Sequence, residues 1–136
     1  MNACVLDCSV TMAWCFQDHD GPIPYETAMV IRSGCAFVPP LWRSEVAHVL
    51  LRAEKIKQIA AADADTFLKK LRAINIKEEN APDEAWDEIM RLARKHNLSA
   101  YDAAYLELAQ RLDLPLATLD KDLQKAAKKA GVKLVG

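Results

Sequence analysis

The strongest constraint on the fold of this chain is a pattern repeated near its two ends: a short apolar run closed at once by an aspartate. Ala3-Cys4-Val5-Leu6 stops at Asp7, and Leu116-Ala117-Thr118-Leu119 stops at Asp120. Runs this short, bounded by polar residues, read as buried strands. Cys35-Ala36-Phe37-Val38 before Pro39-Pro40, the alternating Ile74-Asn75-Ile76 and the terminal Val132 to Val135 add three more candidates. Between them the apolar spacing becomes helical. Helices are expected from Val10 to Phe16 with Ser9 as N-cap, from Tyr25 to Ser33 before Gly34, and from Leu41 to Lys55. Four more are expected: Asp63 to Arg72, Pro82 to His96, Ser99 to about Leu112, and Lys121 to Ala130 before Gly131. Asp18 to Pro22 reads as a loop. Short strands alternating with helices require crossover connections, hence a parallel sheet covered on both faces. The expected class is α/β in three layers, with a central parallel sheet of four to five short strands.

At 136 residues the chain is sized for one domain, residues 1–136, since domains run to about 100–200 residues. Its 51% hydrophobic and 27% charged content is that of a globular domain and excludes disorder and collagen-like repeats. No apolar run approaches the roughly 20 residues that span a bilayer, and the start lacks a basic segment followed by a long apolar stretch. A cytoplasmic protein without membrane contact is the expectation. Cys4, Cys8, Cys15 and Cys35 include no C-x-x-C pair, and His19, His48 and His96 are scattered, so reduced core thiols are expected rather than a zinc site. Net charge is −1, which provides no general basic field. The balance is uneven, with five acids against two arginines in residues 1–50 and sixteen Lys and Arg against fourteen acids in residues 51–136.

In open α/β sheets ligands bind beyond the carboxyl ends of the strands, which singles out Asp7 and Asp120. If their strands are neighbours, the two carboxylates raise each other's pKa unless a cation holds them ionised. Asp102 stands three residues after Ser99, the spacing of a capping box, and Glu45 lies on a strongly apolar helix beside Val46 and Ala47. Each of these two alone has a structural explanation. Together the four acids form a set suited to a hard magnesium or manganese ion, which takes carboxylate oxygens and water. Such a cluster fits phosphodiester hydrolysis, with a carboxylate as base and the ion shielding phosphate.

Four segments in order resemble the acidic motifs of PIN-domain ribonucleases: Val5-Leu6-Asp7-Cys8-Ser9-Val10, Pro39-Pro40-Leu41-Trp42-Arg43-Ser44-Glu45-Val46, Leu98-Ser99-Ala100-Tyr101-Asp102-Ala103-Ala104-Tyr105-Leu106, and Leu116-Ala117-Thr118-Leu119-Asp120-Lys121-Asp122-Leu123. The resemblance spans essentially the whole chain and is closest to the single-domain VapC toxins of VapBC toxin–antitoxin modules. It implies a Rossmann-like sheet and an Mg2+- or Mn2+-dependent endoribonuclease, with Asp7, Glu45, Asp102 and Asp120 as catalytic and metal-binding acids. Ser9 and Thr118 match supporting hydroxyl positions, and Asp122 could supplement Asp120 at the metal. The resemblance also implies a homodimer, a cognate VapB-type antitoxin covering the cleft, and structured RNA as substrate, with transfer RNA ahead of ribosomal RNA.

Phosphate neutralisation supplies much of nucleic-acid affinity, so Arg43 and Lys121 are the first candidates for RNA contact, with Arg52, Lys125, Lys128 and Lys129 behind them. Trp14 and Trp42 could stack on unpaired bases, although helical aromatics are usually core. Two rival readings stand beside the nuclease. Asp7-Cys8-Ser9-Val10-Thr11 resembles the nucleophile loop of haloacid-dehalogenase-like phosphatases, but Ser9 replaces the second acid. A non-catalytic RNA- or protein-binding domain of the same fold is the other. Retention of all four acids favours the enzyme. Glu45-x-x-His48 has di-iron helix spacing, yet only one copy exists.

Overall fold

The computed structural model describes residues 2–19 and 21–136. Asp20, read as part of a loop, lies outside the described residues. The elements follow in the order β1 (Ala3–Leu6), α1 (Cys8–Phe16), α2 (Ile23–Ser33), β2 (Cys35–Val38), α3 (Leu41–Lys55) and α4 (Ala61–Ala73). Then come β3 (Ile76–Glu78), α5 (Glu84–His96), α6 (Ala100–Leu112), β4 (Leu116–Ala117) and α7 (Lys121–Lys129). The described residues form one four-stranded sheet, wholly parallel, in the order β3-β2-β1-β4. Helices cover it on both faces, which is the expected three-layer α/β architecture.

The chain leaves β1 toward β2 and β3 and returns to β4 on the other side of β1. The strand order therefore reverses beside β1, at the place where α/β sheets open a crevice for ligands. Val5 pairs with both Phe37 and Leu116, so β1 is central and Cys4, Val5 and Leu6 are fully buried. A continuous apolar run is what a strand covered on both faces requires. Against it pack the buried Leu106 and Leu108 of α6, Leu123 of α7 and Val46 of α3.

Four local expectations need correction. First, α1 begins at Cys8 with Asp7 in the N-cap position, not at Val10 behind Ser9. The Asp7 carbonyl already accepts from Val10 N–H at 3.2 Å, and the Ser9 hydroxyl is turned to the Asp7 side chain. Second, the third strand runs over Ile76–Glu78, not Ile74–Ile76. Ile74 is the extended C-cap of α4, and Asn75 is held to β2's entry by its Nδ2 donating to the Gly34 carbonyl at 2.8 Å. Third, β4 stops at Ala117, because Thr118 and Leu119 turn their polar groups toward Ser9 and Asp7 instead of a neighbouring strand. Fourth, Val132 to Val135 forms only a bridge between Leu134 and Leu116, not a fifth strand. All four cysteines are free, with Cys4, Cys8 and Cys35 buried. Burial pushes the thiols of Cys4 and Cys8 up to about 12, which makes them inert apolar filler.

Candidate active site

Asp7 stands at the carboxyl end of the central strand, its own N–H donating to the Ala117 carbonyl at 3.0 Å, so the β1–β4 pairing fixes its position. Its side chain is 5% exposed. Two hydroxyls converge on one oxygen: Ser9 Oγ donates to Oδ2 at 2.6 Å and Thr118 Oγ1 donates to the same Oδ2 at 2.7 Å. Burial raises the Asp7 pKa, opposed by those two hydroxyls and by the backbone N–H groups of Cys8 and Ser9. Both supporting hydroxyls are themselves held. Ser9 Oγ accepts from Leu119 N–H at 3.0 Å, and Thr118 Oγ1 accepts from Asp120 N–H at 3.1 Å. Ser9 and Thr118 thus act as a clamp that ties the end of β1 to the turn after β4.

Asp120 follows that turn and caps α7, Oδ1 accepting from Leu123 N–H at 2.9 Å. Gln124 donates from Nε2 to the Thr118 carbonyl at 2.8 Å and holds the same turn from the helix side. Asp102 lies in the first turn of α6, where its N–H donates to the Ser99 hydroxyl at 3.1 Å. The cap read from the spacing is present, and the Asp102 carboxyl has a second situation besides. It is pushed from 3.8 up to about 6, first by burial and then by the charges of Asp7, Asp120 and Glu45, with Ser99 opposing. The Asp102 carboxyl is therefore near enough to feel the charges of the other three acids.

Glu45 projects from α3 and is half-buried. Tyr105, fully buried on α6, donates from its hydroxyl to Glu45 Oε1 at 2.5 Å. Burial raises the Glu45 pKa, Asp7 adds to the rise, and the Tyr105 hydroxyl opposes it. The sequence motifs give Tyr105 no role. The available signal was its place three residues after Asp102, on the same side of a helix. Gln124 gave no such signal.

The other candidates stand apart. Asp122 is exposed in the first turn of α7 and is not among the charges acting on Asp102. Lys121 is exposed immediately after Asp120. Arg43 is exposed but paired, its Nε 3.0 Å from Glu78 Oε2. The two tryptophans considered for base stacking are held by the fold. Trp42 is buried and donates to Thr11 Oγ1 at 3.0 Å, and Trp14 donates to the Pro24 carbonyl at 2.8 Å.

The sequence pattern of the PIN domain matches residues 4–129 of the chain. The chain belongs to the PIN domain family. PIN domains are generally nucleases and typically work with divalent metals. The crystal structure of PAE2754 from Pyrobaculum aerophilum shares the fold of this PIN domain, with a TM-score of 0.72 at 24% identity, over 98% of this chain and 92% of that one. A search of curated proteins finds no match to the chain.

The donor chemistry of this PIN domain fits a hard divalent ion, because the four acids offer carboxylate oxygen alone. Among the described residues no group of three or more His, Cys, Asp and Glu side chains stands together as a finished metal cage. The fit rests on the donor type and on the charges of Asp7, Asp120 and Glu45, which oppose ionisation of Asp102. Asp7, Glu45, Asp102 and Asp120 are the residues that would hold such an ion. No helix among the described residues is long and apolar enough to cross a membrane.

Proposed function

We propose that this PIN domain is an Mg2+- or Mn2+-dependent endoribonuclease and the toxin of a VapBC-type toxin–antitoxin module, acting in the cytoplasm on structured RNA, transfer RNA first. The observation that carries the reading is the Asp7 carboxylate, held by Ser9 and Thr118 at the end of the central strand, with the charges of Asp7, Asp120 and Glu45 all acting on Asp102. That strand end lies beside the switch point where α/β sheets bind ligands. The cognate VapB-type antitoxin and a second copy of the chain are the partners of this reading.

The chain's own groups divide the work. Asp7 is immobilised by Ser9 and Thr118, which both donate to its Oδ2. Tyr105 holds Glu45 in the same way. One of the four carboxylates also takes the proton of the attacking water as general base. A divalent ion, when bound, supplies acidification of water and shielding of the phosphate charge.

The test is cleavage of total RNA by the purified chain, free of antitoxin, in EDTA, magnesium or manganese, beside Asp7→Asn, with sequencing of the new ends. Discrete metal-dependent ends that vanish in the variant support the reading and name the target. Folded protein that cuts nothing under either metal overturns it in favour of binding without turnover.

A further inference from the structure

We propose that the outer face of α5 is the surface on which a second copy of this chain docks, the two helices lying antiparallel across a twofold axis. This gives a location to the dimer included in the functional reading, and its test does not depend on catalysis.

The thirteen residues of α5 bury Ala85 and Leu92 against the rest of the domain. The opposite side carries two adjoining rows at helical spacing, Trp86-Met90-Arg94 and Asp87-Arg91-Lys95. Trp86 is 76% exposed and Met90 40%, and these two with Asp87, Arg91, Arg94 and Lys95 line one open concavity. An exposed tryptophan beside a methionine is the kind of apolar patch that marks a protein contact.

The charges say what the contact is. The first half of α5 holds Glu84, Asp87 and Glu88, and the second half holds Arg91, Arg94 and Lys95. The helix dipole explains that order but not the exposed Trp86. Glu88 and Arg91 satisfy each other within the helix, with Arg91 Nη2 donating to Glu88 Oε2 at 2.9 Å. Asp87, Arg94 and Lys95 take no part in that pair. A face acidic at one end, basic at the other and apolar between is complementary to itself when turned end for end, which is what an isologous twofold interface demands. In that arrangement Asp87 of each copy meets Arg94 and Lys95 of the other, and the Trp86 and Met90 side chains of both are covered. An RNA strand would gain from the basic half but would meet Asp87 and Glu84 beside the tryptophan, so the second copy is the better match.

Sedimentation equilibrium of the whole chain, without RNA or antitoxin, decides the matter. Wild type should be a dimer, and Trp86→Ala should raise its dissociation constant at least about 30-fold, as loss of a central tryptophan does. Asp87→Lys should weaken the dimer about tenfold, and Asp87→Lys with Lys95→Glu should restore it. Positions 87 and 95 lie two turns apart on one helix, so that rescue can act only between copies. Circular dichroism and melting curves check that each variant is folded. A monomeric wild type, or a dimer indifferent to all these changes, overturns the proposal. So does a monomer whose affinity for single-stranded RNA falls with Trp86→Ala, because the face would then belong to RNA. RNA cleavage by the same samples reports separately on the nuclease reading.

Discussion

The Tyr105 hydroxyl donates to Glu45 Oε1 at 2.5 Å across sixty positions of sequence, and through it the core of α6 sets where an acid of α3 stands. The arrangement couples packing to the site. Tyr105 is fully buried, so its ring is fixed by its core neighbours, and Glu45 inherits that rigidity.

Tyr105→Phe tests the coupling. The ring volume is kept and one buried hydrogen bond to an acid is lost, which should lower stability by about 1–2 kcal/mol in urea denaturation. Cleavage should fall about tenfold or more. Adding Tyr105→Phe to Glu45→Gln should then reduce cleavage little further, because both act on one carboxylate.

Asp7→Asn should remove at least about 99% of metal-dependent cleavage while the chain stays folded, since the two residue types have the same shape. The Asn carbonyl still accepts from Ser9 and Thr118. Burial disfavours the charged form of Asp7, so the variant should melt at or above the wild-type temperature at pH 7. A lower melting temperature would mean that the carboxylate holds the fold together.

Thr118→Val and Ser9→Ala each remove one of the two donors to Asp7 Oδ2. Each should cost about 1–2 kcal/mol and weaken Mn2+ binding measured by calorimetry. The double variant should depart from additivity, because the two hydroxyls share one acceptor oxygen.

Stability should fall as pH rises from about 4 to about 6. The Asp102 carboxyl is raised from 3.8 to about 6 by burial and by Asp7, Asp120 and Glu45, so between those values the folded chain holds a proton that the unfolded chain has released. The stabilisation is fully present below about 4 and lost above about 6. Asp102 is half-exposed and partly screened, so the whole effect should be about 1 kcal/mol. Urea denaturation of Asp102→Asn should be flatter across this range. Magnesium should restore wild-type stability at pH 8 and leave Asp102→Asn less affected.

Thiol titration checks the core. In native protein at pH 8, Cys4 and Cys8, buried and pushed up to about 12, should react slowly, with Cys15 reacting first because it is the least buried of the four. Denaturation should make all four react at once.

The sequence by itself determined the class and the element order, and it marked four acids as the candidates for the site. Those properties depend on local rules: apolar runs of four make buried strands, helical spacing makes crossovers, and an acid directly after a strand reaches the ligand-binding end of a parallel sheet. Where short-range rules compete, tertiary contacts decide. Ser9 resembled an N-cap but serves the Asp7 carboxylate, and Val132 to Val135 resembled a strand but makes one bridge. The tertiary structure alone decided which strands are neighbours, and thereby that Thr118 and Ser9 share one oxygen of Asp7. It also decided that Tyr105 reaches Glu45, that Trp42 is core, and that Trp86 faces outward. The physical reason is the same throughout. Periodicity reports which side of an element is apolar, whereas the partner of a polar atom depends on contacts between segments far apart in the chain, which only the packed sheet and its helices bring together.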